Sequence, residues 1–328
     1  MAISRTHDGT TAEDAARVIA ACGDELTRLE GKTVLVTGAS GFLGASIVDA
    51  LVAFNERSKR PCKLWLTSRA RARSPEWIEW SGTTRLALSE GRCDYIVHAA
   101  SPLPGADVRA MATLTREVVE FARRAEAEAL LLLSSGAVYG AQPSNMEAMP
   151  ETYAQQSGEE YGRAKRGCEA MVAEAGMPAV SARIFACFGP RQPLEAPFAV
   201  PDFFAQALRT GEIRVKSRGT ATRTFLYVSD AVAALLKLML RAGRGGPSIC
   251  NVGARAPVVS IAQLAAQIGE LAGVRVTIEG RADEGPRARY VPDVSLMETV
   301  QRPQVALAEG LRRVHHHLQS LRTQGAAA

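Results

Sequence analysis

The sequence predicts an α/β fold, a doubly wound parallel sheet followed by a smaller C-terminal α+β lobe. Three observations predict it. Apolar runs of strand length alternate with amphipathic helical runs through the first half, and a glycine-spaced turn joins the first strand to the helix after it. The pattern then breaks near residue 187 into a Pro-rich stretch, short strands and further helices.

The elements follow in order. Residues 11–29 set Val18, Ile19, Cys22 and Leu26 at helical spacing with charges between them, a packing helix within an extension over 1–30. KTVLVTG from Lys32 reads as a strand, 42–54 as a helix and CKLWLTS from Cys62 as a strand. Buried-strand runs follow at 95–99, 130–134 and 180–185, with helical runs at 108–124 and 159–175 between them. After GPRQPLEAPFAVP comes a helix, then two short strands around Ser217, Arg218, Gly219 and Thr220 that read as a hairpin. A helix over 229–241, a strand ending in CNVG, and helices over 260–272 and 304–318 complete the chain. The expected division is 31–186, with 229–253 returning to it, against a lobe of 187–228 and 254–328.

With 328 residues the chain has material for one large core or two moderate ones, and its 22% charged and 47% hydrophobic content is globular. Its Cys, at 22, 62, 93, 168, 187 and 250, form no CxxC pair, which argues against a zinc site or a disulfide framework. No apolar stretch approaches the roughly 18 to 20 residues that cross a bilayer, and the N-terminus lacks a secretion pattern, so a cytoplasmic protein is expected. The net charge of +5 is spread along the chain, which suits a single anionic ligand and not a nucleic acid.

Gly38, Ala39, Ser40, Gly41, Phe42, Leu43 and Gly44 lie between an apolar strand and an amphipathic helix, where a dinucleotide loop belongs. The first glycine permits the turn, the second admits a pyrophosphate and the third lets helix and strand close up, while the helix N-terminus faces the phosphates. The second strand ends in Ser68 and Arg69, without the acid that would bind a ribose 2′-hydroxyl. Arg69 suits a 2′-phosphate, so NADP is favoured over NAD.

Tyr161 and Lys165 share one helix face. An adjacent ammonium favours phenolate, which makes Tyr161 a proton acceptor and donor near neutrality. Ser157 and Glu160 match a capping box that would set Tyr161 in the first turns. Ser135 closes the apolar run LLLLSS, at the strand end where a hydroxyl would face the cofactor crevice. Two groups read as bland: His315, His316 and His317 as a solvated helix end, not a metal cluster, and Trp65, Trp77 and Trp80 as packing.

TGASGFLG, VHAAS, SSGAVYG, YGRAK, RIFACFGPRQ, RTFLYVSDA, NVG and RYVPD occur in that order, and with them the chain resembles the extended short-chain dehydrogenases of the nucleotide-sugar epimerase and dehydratase group. The resemblance implies a Rossmann domain for NAD(P), a C-terminal lobe for a nucleotide-diphosphate sugar, and a homodimer. It implies that Ser135, Tyr161 and Lys165 are catalytic and that His98, Ala99, Ala100 and Ser134 line the cofactor. It implies a substrate face of Ser101, Ser135, Gly136, Arg191 and Arg223, the last on the diphosphate. The group's dehydratases carry an Asp-Glu pair, and its decarboxylases a Glu, just after the catalytic hydroxyl residue, where this chain has Gly136 and Ala137. An Asn often found on the substrate is Ala186 here, and the Asp that usually approaches the adenine is not evident. The expected activity is therefore epimerisation through a transient keto sugar, the alternative being an NADPH-dependent keto-sugar reductase. Dehydration and a non-catalytic NADP-binding sensor rank below both.

Overall fold

The computed structural model describes residues 9–67, 78–81, 92–102, 108–282 and 288–326. Helix α1 (Gly9–Cys22) runs into a 3-10 turn (Gly23–Leu29), then strand β1 (Thr33–Thr37), α2 (Phe42–Asn55), β2 (Lys63–Thr67), β3 (Ile78–Ser81) and β4 (Tyr95–His98). α3 (Arg109–Arg124), β5 (Ala129–Ser135), a 3-10 turn (Gly136–Tyr139), α4 (Glu160–Glu174) and β6 (Ala179–Ile184) follow. The later part holds β7 (Cys187–Phe188), α5 (Ala199–Thr210), β8 (Glu212–Ser217), β9 (Thr222–Arg223), β10 (Leu226–Tyr227), α6 (Val228–Arg241) and β11 (Ile249–Val252). β12 (Val259–Ser260), α7 (Ile261–Ala272), β13 (Arg275–Ala282), β14 (Arg289–Tyr290), α8 (Ser295–Glu298) and α9 (Leu307–Ala326) end the chain.

The main sheet is wholly parallel, in the order β11-β6-β5-β4-β1-β2-β3. Strand alternation divides its apolar residues between two cores. Val34, Val36, Leu131 and Leu133 meet Ile47 and Leu51 of α2 and Leu236 and Met239 of α6 on one face. Leu35, Ile96, Leu130 and Leu132 meet Val118 and Phe121 of α3 and Cys168 and Val172 of α4 on the other. A parallel sheet buried on both faces explains why its strands read as continuous apolar runs.

Helix α1 packs on α2 and α6 and is tied to the end of the chain by a buried cluster. Arg313 of α9 and the Tyr227 hydroxyl both donate to Asp14, at 2.8 and 2.7 Å.

The expected hairpin around residues 217–220 does not form. β8 pairs in parallel with β13, while β9 pairs antiparallel with β12 and in parallel with β14. The Gly219 turn is real, at φ +69°, but the edges of β8 and β9 find their partners more than thirty residues further on. The histidine run is not a solvated helix end either, because α9 continues beyond it: His317 is buried and His315 stacks on Phe204 at 6.2 Å. Trp65 packs at 6.5 Å from Phe121, whereas Trp77 and the side chain of Trp80 lie outside the described residues.

Candidate active site

The carboxyl ends of β1, β4 and β5 build the site. Gly38 follows β1 with φ +69°, and a Cβ there would lie 2.7 Å from the backbone of Ala100 at the end of β4. Only glycine satisfies both the turn and the approach. A Cβ on Gly44 would strike the Gly38 carbonyl, so α2 closes tightly on the loop. Gly41 is the N-cap of α2 and no side chain caps that end, which leaves the first amides of the helix, from Phe42, Leu43 and Gly44, facing outward beside exposed Ser40. This cradle fits a dinucleotide pyrophosphate.

Ala99 donates its amide to the Thr37 carbonyl and Ala100 to the Thr37 hydroxyl, which holds the β4 end against the loop. His98 lies behind this crevice, not in it. Its ring bridges Thr37 at 2.8 Å and Thr115 of α3 at 3.1 Å, and burial, aided by the Lys165 charge, pushes its pKa down to about 3. His98 is thus a neutral brace between sheet and helix.

Tyr161 stands in the first turn of α4, with the buried Lys165 one turn on. The ammonium lies 5.9 Å from the centroid of the Tyr161 ring and donates to the Leu133 carbonyl at 2.7 Å, so the helix is pinned to the strand that ends in Ser135. Burial lowers the Lys165 pKa to about 8, against the opposing pull of Cys168 and Glu169. The expected capping box is absent: Glu159 is the N-cap, and Ser157 accepts the Glu159 amide instead. Gly162 accounts for the difference, since a Cβ there would overlap Ser157 Oγ and the Ala137 carbonyl. Ser157 is wedged between helix and 3-10 turn, and this tight seat brings α4 onto the segment that begins at Ser135. The Ser135 hydroxyl accepts the Ala137 amide at 3.1 Å, which turns the chain out of β5.

The other predicted residues divide. Gly136 is buried beneath Phe185 and Tyr290, whose rings sit 4.5 Å apart, and a Cβ on it would lie 2.6 Å from each of them. Arg223 spans the Tyr290 ring at 5.7 Å and donates to the Thr222 carbonyl, close to the same mouth. Ser101 is exposed and donates to the Pro102 carbonyl. Two residues go elsewhere. Ser134 points away from the crevice and donates to Glu169 at 2.5 Å, because neighbouring strand residues face opposite sides. Arg191 pairs with Asp49 of α2 at 2.6 Å, which turns its guanidinium toward the cofactor helix. Ser68 and Arg69 lie outside the described residues.

Sequence reasoning missed Glu169, Arg183 and Tyr290. A carboxylate four residues after Lys165 and an Arg inside the apolar run AVSARIF were the available signals for the first two.

The model of the family described as NAD-dependent epimerase/dehydratase matches residues 34–253, from the first strand of the main sheet to its last. The chain belongs to the NAD-dependent epimerase/dehydratase family. Among its relatives is UDP-glucuronic acid decarboxylase 3 of Arabidopsis thaliana, 30% identical over 308 residues that cover 85% of this chain and 86% of the relative. An epimerase from Methanothermobacter thermautotrophicus superposes with a TM-score of 0.80 at 23% identity, covering 93% of this chain and 97% of its own. UDP-glucose 4-epimerase of Thermus thermophilus, solved in complex with NAD, superposes with a TM-score of 0.74 at 23% identity, covering 88% and 99%. Both likenesses confirm the Rossmann architecture. Among the described residues no helix is long and apolar enough to cross a membrane, and no three His, Cys, Asp or Glu gather as a metal site.

Proposed function

We propose that this chain is an NAD(P)-dependent nucleotide-sugar epimerase that works through a transient keto sugar. One observation carries the proposal: the buried ammonium of Lys165, one turn along α4 from Tyr161, donates to the Leu133 carbonyl two residues before Ser135, while the position after Ser135 is a glycine packed beneath two aromatic rings. The first half of that arrangement is proton-transfer machinery. The second leaves no carboxyl group for elimination or decarboxylation there, although the relative named above is a decarboxylase.

The residues divide the work. Tyr161 takes the proton of a sugar hydroxyl and returns it to that same oxygen once the keto sugar has turned to present its opposite face. The charge of Lys165 favours phenolate and, held by the Leu133 carbonyl, keeps one position through both halves. Ser135 holds the reacting oxygen by its hydroxyl, and Arg223 takes the diphosphate. The dinucleotide, when bound, supplies the hydride acceptor and donor, seated on the Gly38–Gly44 turn and the N-terminus of α2. NADP is preferred over NAD on the strength of Arg69 and the missing acid. A homodimer in the cytoplasm completes the reading.

The second reading, a keto-sugar reductase that consumes NADPH, is favoured by the same Arg69. Supplying purified enzyme with oxidised or reduced dinucleotide and with UDP-sugars or their 4-keto derivatives separates the two. Epimerisation forms product with no net change in absorbance at 340 nm, and a fall in proportion to product would overturn it in favour of the reductase. Tyr161→Phe is expected to lose about a thousandfold in turnover while still binding dinucleotide.

A further inference from the structure

Glu169 lies on α4 one turn beyond Lys165 and is 5% exposed. Each of its carboxylate oxygens is engaged. Oε1 accepts the Ser134 hydroxyl at 2.5 Å, and Oε2 accepts Gln155 Nε2 at 2.7 Å. Arg183 of β6, 2% exposed, reaches both oxygens with Nε at 3.1 and 3.2 Å and adds Nη2 to Oε2 at 2.8 Å. The remaining Arg183 nitrogen donates to the Tyr139 hydroxyl at 2.8 Å and the Glu151 carbonyl at 3.1 Å, and Tyr139 donates on to Asn251 of β11 at 2.8 Å. One carboxylate therefore gathers β5, β6, α4 and the 3-10 turn.

A buried ion pair contributes little net stability compared with apolar side chains of equal volume, so the fold by itself does not call for this one. Its location is informative. Ser134 directly precedes Ser135, and Glu169 shares a helix face with Lys165 and, beyond it, Tyr161. We propose that Glu169 is a positioning residue for the reacting groups: through Ser134 it fixes the strand end that presents Ser135, and through α4 it fixes the register that presents Tyr161 and Lys165. This rests on the epimerase reading and gives that site a support reaching across three strands. The electrostatics agree. The groups facing the Lys165 ammonium are neutral His98 from β4 and Tyr161, Cys168 and Glu169 from α4, and the Glu169 charge helps it keep its proton against burial.

The test compares Glu169→Met, the double variant Glu169→Met/Arg183→Met, and Ser134→Ala in the full chain with dinucleotide bound. Glu169→Met leaves Arg183 a buried cation without its counter-charge and should melt well below wild type, whereas the double variant removes both charges at similar volume and should recover most of that loss. If Glu169 positions the site, kcat of the double variant stays about 100-fold down, with KM and dinucleotide affinity little changed. Recovery of kcat together with melting temperature would make the pair merely structural and overturn the proposal. Ser134→Ala, which keeps the ion pair, should melt like wild type with kcat about tenfold lower, and an unchanged kcat would likewise overturn it. A readout that needs no substrate keeps the two proposals apart. Amide hydrogen exchange over the first turns of α4, from Tyr161 to Lys165, should be about tenfold faster in the double variant than in wild type even where the melting temperature is recovered. Unchanged exchange defeats the positioning role, whereas failure of the wild type to turn over any nucleotide sugar defeats the epimerase reading.

Discussion

Replacing Lys165 by Met is expected to stabilise the fold while it removes activity. The ammonium is 4% exposed, and burial brings its pKa from 10.5 to about 8. Each tenfold loss of proton affinity is worth about 1.4 kcal/mol, so holding the charged form costs the folded state about 3 kcal/mol at neutral pH. Against this stands the bond to the Leu133 carbonyl at 2.7 Å, worth about 1 kcal/mol. Met fills a similar volume without the charge, and the net gain is about 2 kcal/mol at pH 7, read as a melting temperature about 3 °C higher. The pH dependence fixes the sign. A basic group with a depressed folded pKa binds more protons in the unfolded chain between about 8 and 10.5, so wild type gains on the variant as pH rises through that window. By pH 10.5 the advantage of Met should vanish or reverse. The quantity to measure is the difference between the two urea denaturation curves, not the wild-type curve alone. Burial also raises the Cys22, Cys62, Cys93 and Cys250 thiols to about 12, which lowers wild-type stability above pH 9 and cancels in the difference. A Lys165→Met protein less stable than wild type at pH 7, or a difference flat from pH 7 to 10.5, would refute the account of Lys165 as a desolvated cation retained for chemistry.

Three further outcomes follow from the same geometry. His98, held neutral with its pKa near 3 against an ordinary 6.5, binds fewer protons than in the unfolded chain, so its contribution is present above pH 6.5 and lost as pH falls. Wild type should therefore lose about 3 kcal/mol more than His98→Gln between pH 6.5 and pH 4 in acid denaturation, and parallel curves would contradict it. Gly38→Ala meets both a φ of +69° and Ala100 at 2.7 Å, and should weaken dinucleotide binding about tenfold or more by fluorescence titration; near-normal affinity would show that the turn does not seat the cofactor. Gly136→Ala should cost about 1–3 kcal/mol by forcing Phe185 and Tyr290 aside, with calorimetry as the check, and a neutral substitution would mean that the two rings leave room for a side chain.

Much of the architecture was legible because its signals are local. Strand length, helical period and glycine spacing are written along the chain, and they place β1, the loop, α2 and the Tyr161-to-Lys165 helix with little help from elsewhere. The spacing of Tyr161 and Lys165 is a property of one helix and survives any packing. The hairpin expected around Gly219 did not survive, because a turn signal says where a chain bends and not which distant strand pairs with it. Ser157 failed as a helix cap for a related reason: Gly162 admits the serine between helix and turn, and that contact competes with capping.

By itself, then, the sequence determined the wound sheet, the glycine turn between β1 and α2 and the shared helix face of Tyr161 and Lys165, since each depends on neighbours a few residues away. Tertiary structure alone decided that Ser134 turns to Glu169, that Arg191 pairs with Asp49, that His98 braces the crevice from behind, and that Phe185 and Tyr290 cover Gly136. The physical reason is that burial and electrostatic pairing depend on which residues of distant elements share a space, and a linear spacing does not record that.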